Sequence, residues 1–226
     1  RVLAAVAGII IIVSAFVLTR LPKNIGVTEK AQPRLLFRTR YWLYYVLLLF
    51  EGSRTQVFSA FNIMVLVYYF NLSAFQISLL LLTSGLVNFL FARKMGQLLD
   101  VLGERVTLTA GYIALALCFV GYALVDNVWF LCTMVVFINL LVTLSMGLST
   151  YVNRIAPPEE LTPTLTTGVS VNHITSVGMS FLAGALLPIV GYKALAWGVV
   201  VMVLLSVPFT LAMKTQVKEA ELVVEE

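Results

Sequence analysis

Apolar positions along this chain gather into long, nearly unbroken runs instead of the one-sided periodicity of a helix that faces water. Seven runs approach the roughly 20 residues that a helix needs, at ~1.5 Å rise each, to cross ~30 Å of hydrocarbon. They lie at about Val2 to Thr19, Tyr41 to Phe70, Ala74 to Arg93, Val106 to Val125, Val128 to Val152, Pro163 to Ile189 and Ala194 to Met213. The pattern predicts an all-α, multi-span membrane bundle of seven helices.

The breaks between runs carry helix-start chemistry. Ser73 and Gln76 have the spacing of a capping box, and Thr162 before Pro163 offers an N-cap with proline at the first helical position. Pro157, Pro158, Glu159 and Glu160 predict the start of a separate short surface helix, its acidic groups at the positive end of the dipole. Asn71-Leu72-Ser73 matches a glycosylation sequon, but it abuts a span, so capping the next helix explains it better.

Composition narrows the class further. Across 226 residues, 60% are hydrophobic and 12% charged, about half the charge of a soluble domain. A soluble enzyme or nucleic-acid-binding domain is excluded, and the net charge of +4 acts instead as a topology signal. If the first run travels outside to inside, the inner segments hold Arg20, Lys23, Lys30, Arg34, Arg38, Arg40, Arg93, Lys94, Arg105, Arg154, Lys214 and Lys218, twelve of the fifteen basic residues. Arg1 and Lys193 fall outside, and Arg54 lies within a span. The positive-inside rule then predicts an external amino end and a cytoplasmic tail in the cell (inner) membrane. Trp42, Tyr44, Tyr45, Tyr68, Tyr69, Trp129, Tyr192 and Trp197 are expected as interfacial belts. The first run has no A-x-A-like cleavage site and precedes six basic residues, so it is expected as a span and not as a signal peptide.

Polar groups at membrane depth are costly, about 2.5–3.5 kcal/mol per charge on insertion scales, and so point to cavities or partners. Glu51 and Arg54 are the one charged pair within a span. Helical phasing sets Tyr44, Glu51, Arg54, Thr55, Phe58, Asn62 and Tyr69 on one stripe. His173, the single histidine, lies about 15 Å into the sixth run, and Asn139 about 16 Å from the outer end of the fifth. Glu51, Arg54, Asn62, Asn139 and His173 are therefore the candidate substrate or proton pathway. The competing explanations are a self-neutralised structural pair for Glu51 and Arg54, and interhelical hydrogen bonding for His173 and the two asparagines. Ser176, Ser180 and Gly184, spaced by four, predict a close helix-packing seam. Cys118 and Cys132 both fall within spans and support neither a disulfide nor a metal site, and no cofactor is implied.

Between the third and fourth runs stands Gly96-Gln97-Leu98-Leu99-Asp100-Val101-Leu102-Gly103-Glu104-Arg105. Two glycines permit a tight turn, and Asp100 and Arg105 can pair or cap helix ends. Gly96, Leu98, Asp100, Gly103 and Arg105 make this segment resemble the G-x-L-x-D-x-x-G-R-R cytoplasmic loop of the major facilitator superfamily. Val101 stands where a basic residue is common, and Glu104 replaces the first of the paired basic residues. The basic stretch Arg20 to Arg40, separating one run from six, is similar to the linker between that family's two six-helix halves.

The resemblance implies that residues 1–19 are the last helix of a missing amino-terminal half, 20–40 a cytoplasmic linker, 41–213 the six-helix carboxyl-terminal half and 214–226 a cytoplasmic tail. It implies a secondary active transporter that moves a small solute, with protons as a coupling ion, by alternating access. Its partners would be the lipid bilayer and the missing half or a second protomer. Arg54 would attract an anionic or polar substrate group, Glu51 would hold Arg54 or carry a proton, and His173 would relay it. The alternative is a half-size dimerising transporter or a non-transporting membrane assembly subunit. A retinal protein needs a lysine inside the last run, which has none; D-R-Y, N-P-x-x-Y, H-E-x-x-H and G-x-S-x-G are all missing, so neither a receptor nor an enzyme is expected.

Overall fold

The computed structural model describes residues 2–20 and 35–213. Most of the expected linker, with Lys23, Lys30 and Arg34, and the expected tail, with Lys214 and Lys218, lie outside the described residues. Every regular element among the described residues is helical: α1 Val2–Thr19, α2 Trp42–Tyr68, α3 Ala74–Leu124, α4 Val128–Val142, α5 Met146–Ile155 and α6 Pro158–Leu211, with 3-10 turns at Thr39–Tyr41 and Thr143–Ser145. The chain divides into two compact units, Arg1–Pro33 and Arg34–Glu226. In the first, α1 is closed by Thr19, whose hydroxyl donates to the Phe16 carbonyl at 2.7 Å, and by Arg20 over the Phe16 ring.

Among its described residues the second unit has six helical rods, because α3 and α6 each reverse at a single glycine. Gly103 (φ 76°, ψ 164°) and Gly191 (φ 77°, ψ 168°) take backbone conformations that only glycine adopts without strain. The side-chain register proves the reversals. Arg54, Phe58 and Phe61 of α2 meet Tyr112, Phe119 and Tyr122 in ascending order, so residues 104–124 run parallel to α2. Asn88 reaches Thr143 and Leu99 lies against Gly147, so residues 74–102 instead run with α4 and α5. In α6, Tyr44 lies by Gly168 and Gly52 by Asn172, a parallel match for 158–190. Tyr69 stacks on Tyr192 while Trp42 meets Phe209, so 192–211 descends again.

Three helices among the described residues are long and apolar enough to cross a membrane: Ala74–Leu124, Val128–Ile155 and Pro158–Leu211. The 27 residues of α2 are long enough, but Glu51, Ser53, Arg54 and Thr55 dilute its apolar character, and it is not one of the three.

The Ser73 capping box forms as expected, with Gln76 N donating to Ser73 Oγ and Ser73 N donating to Gln76 Oε1. The expected boundary at Thr162–Pro163 does not exist. Pro157 already caps α6, Pro158 opens it, and the helix runs through Pro163 without a break. The expected short surface helix is thus the first turns of the longest helix; Pro163 removes only one hydrogen bond there, which continuing packing outweighs. Tyr44 is likewise no interfacial residue: it is buried against Gly168, while Trp42, Tyr68 and Trp129 are exposed.

The end of the bundle carrying Gly103 is tied by ions. Arg38 pairs with Glu160 at 3.1 Å, Tyr41 donates to the same carboxylate at 2.8 Å, and Arg154 pairs with the buried Glu104 at 2.9 Å. At the opposite end, Tyr192 and Lys193 donate to Asp126 at 2.5 and 2.6 Å.

Candidate functional site

Two glycines let α2 and residues 158–190 approach backbone to backbone. A Cβ on Gly52 would fall onto the Asn172 carbonyl, and one on Gly168 would collide with the Tyr44 and Leu48 side chains. Ser176 donates its hydroxyl to the Gly52 carbonyl at 3.0 Å, fixing the crossing. Small residues at such a contact trade side-chain volume for close packing. Beside this seam the third wall, α4 to α5, stands off, and a cleft of 410 Å³ opens between the three. That volume lies within the range of small-molecule sites.

Glu51 and His173 both line this cleft, from different helices. Glu51 is itself buried; its Oε1 accepts from the Thr55 hydroxyl at 3.2 Å, and its Oε2 pairs with Arg54. His173 is exposed. Glu51 stands about 14 Å along α2 from Trp42, in the lower half of the rod.

The other three expected pathway residues do not line the cleft. Arg54 is 3% exposed and turns to the far side of Glu51, its guanidinium 3.9 Å from the Tyr112 ring centre. A desolvated cation over an aromatic face gains about 2 kcal/mol. Its Nε and Nη1, and the Tyr112 hydroxyl, have no hydrogen-bond partner among the described residues. Asn62 is in helical phase with Glu51 but about 16 Å further along, beyond the Phe58–Phe119 contact; it is buried, with both amide atoms unpartnered among the described residues. Asn139 turns its amide back onto its own helix, donating to Val135 O at 2.9 Å.

Several cleft residues were not among those expected. Asn172 contributes from the seam, and Thr143, Ser145 and Ser149 contribute hydroxyls from the wall where α4 breaks into a 3-10 turn before α5. Thr143 also donates to Asn88 Oδ1 at 3.1 Å, tying this wall to α3. No period in the sequence marks that break. Its sole signal is the cluster of Thr143, Ser145, Gly147 and Ser149 in an otherwise apolar run.

Of the loop residues, Gly103 makes the reversal, whereas Gly96 sits in ordinary helix with open space around it. Asp100 and Arg105, which could pair or cap helix ends, do not pair with each other: both are exposed, and neither has an ion pair among the described residues. Glu104, the departure from the motif, is the residue that pairs, because the reversal at Gly103 carries it inward to Arg154. The expected seam of Ser176, Ser180 and Gly184 reduces to Ser176: Ser180 donates to its own helix, and a Cβ on Gly184 would meet nothing.

At the opposite end, hydrogen bonds from Lys193, and secondarily from Tyr192, hold the Asp126 carboxyl below the usual carboxylate range. Among the described residues, no three His, Cys, Asp or Glu side chains gather as metal ligands. No family model matches the chain, and neither a curated protein nor a solved structure is significantly similar to it.

Proposed function

We propose that this protein is a secondary membrane transporter whose described six-rod unit works as one half of a major-facilitator-like pair, moving a small solute by alternating access. The supporting observation is the cleft, whose walls carry two ionisable groups, Glu51 and His173, in a bundle built of long apolar helices. A carboxylate held that deep is expensive to bury, and such groups usually mark a solute or ion path. On this reading the end that carries Gly103, Arg38 and Arg154 faces the cytoplasm, in keeping with its basic residues. A second six-helix unit, or a second protomer, closes the open side of the cleft.

Alternating access makes a specific demand, that one cleft position be reachable from each side of the membrane in turn. Asn172→Cys in a chain whose Cys118 and Cys132 are replaced by serine is the probe, labelled with a membrane-impermeant maleimide in right-side-out and inside-out vesicles. Labelling from both faces is expected. Labelling from one face alone, or from neither, overturns the proposal.

A further inference from the structure

Arg54 would be the natural lure for an anionic solute, but the geometry turns it away from the cleft. Its guanidinium lies on the Tyr112 face, and the Glu51 carboxylate stands between it and the cavity. A solute in the cleft meets the carboxylate and not the guanidinium. Among the described lining residues Glu51 is the one acidic group, and no Lys or Arg lines the cavity.

The rest of the lining completes the chemistry. Leu48, Leu148, Leu165, Val142 and Val169 supply an apolar body, whereas hydroxyl and amide oxygens at Thr143, Ser145, Ser149 and Asn172 can accept from N–H donors. Among the described residues Glu51 Oε1 is held only by the 3.2 Å bond from Thr55, which leaves lone pairs for a further donor. If a ligand cation draws Glu51 outward, Arg54 is not left bare, since the Tyr112 ring continues to stabilise it.

We infer that the cleft takes an organic cation with an apolar body, the Glu51 carboxylate serving as its counter-ion. This rests on the transport reading and names its substrate class. Anionic solutes are disfavoured, because Glu51 shields the Arg54 guanidinium and, His173 apart, no basic side chain among the described residues lines the cleft.

The test compares tetraphenylphosphonium with tetraphenylborate, ions of nearly the same shape and opposite charge. The full chain is placed in phosphatidylcholine nanodiscs, and radiolabelled ion is measured by equilibrium dialysis against empty discs. Saturable, protein-dependent binding of the phosphonium is expected, with the borate at background. Glu51→Gln should weaken phosphonium binding at least tenfold, and Asp126→Asn, a carboxylate lost at the far end of the bundle, should leave it within twofold. Should Glu51→Gln fail to fold by gel filtration, Glu51→Asp and the cation-to-anion ratio of the unsubstituted protein decide the matter. Equal binding of both ions, binding of neither, or full binding by a folded Glu51→Gln protein overturns the inference. Those results leave the transport reading standing if Asn172→Cys still labels from both faces; labelling from a single face removes the transport reading itself.

Discussion

Replacing Gly191 by alanine isolates one physical term. A Cβ at Gly191 meets no atom within 4 Å, so no clash with a neighbour contributes. What remains is backbone strain: at φ 77° and ψ 168° a side chain sits in a region reserved for glycine, at about 1–3 kcal/mol. Gly178, earlier in the same helix, is the control. A Cβ there also meets nothing within 4 Å, but the backbone is helical, so alanine should be neutral or stabilising by up to about 1 kcal/mol. The two substitutions have the same chemistry, and only the one at Gly191 is predicted to destabilise. Equilibrium unfolding in mixed detergent and SDS micelles reads both, and the expected gap of about 1–4 kcal/mol is roughly fivefold or more in the folding constant. If Gly191→Ala proves as benign as Gly178→Ala, the chain does not reverse at that residue and the antiparallel course of residues 192–211 is wrong.

Three further substitutions test the packing and ion pairs of the bundle. Gly52→Ala pushes a methyl onto the Asn172 carbonyl and should cost about 1–3 kcal/mol in the same unfolding assay; a neutral result would show that α2 and residues 158–190 are not in backbone contact. Arg54→Met strands Glu51 as a buried charge and should lose about 3–5 kcal/mol, most of it recovered in the Glu51→Gln/Arg54→Met double variant. Additive losses in that cycle would mean that the two side chains do not interact. Asp126 gives the pH dependence: its carboxyl is depressed in the folded protein, so its tie to Lys193 and Tyr192 contributes stability above the ordinary carboxylate value of about 4 and loses it as pH falls through the depressed one. Unfolding followed from pH 7 to pH 2 should therefore show an acid limb that Asp126→Asn flattens; identical profiles would refute the assignment.

What the residue pattern discloses here, and what it hides, follows from the geometry of a helix. The cap at Ser73 was legible because its partners are three residues apart on one chain. That Glu51 and His173 line one cleft is legible from depth, since both lie well inside long apolar runs. Arg54 was not, although it follows Glu51 by three residues. That spacing leaves the two about 60° apart around the axis, and in this bundle a different neighbour occupies each side of that angle, the cleft on one and Tyr112 on the other. Phase assigns a face but not the neighbour it meets. The same limit explains Asn62, in phase with Glu51 yet above the aromatic contact of Phe58 with Phe119. The start of α6 differs from its expected place for another reason: Thr162 and Pro163 carry a valid local start signal, and the earlier signal at Pro157 and Pro158 is already in force.

Reversals made by one residue have a consequence for how this chain can change in length. The bundle turns five times, at 69–73, Gly103, 125–127, 156–157 and Gly191. The stretches 69–73 and 125–127 contain non-helical backbone that can take up an added residue. At Gly103 and Gly191 there is no slack: one residue inserted just after either is helical, and it rotates everything downstream by about 100°. Insertion at Gly191 would swing Tyr192 and Lys193 away from Asp126 and turn Phe209 from Trp42. Length variation in this protein is accordingly confined to a few short connections, and neither glycine can accommodate a tag or reporter.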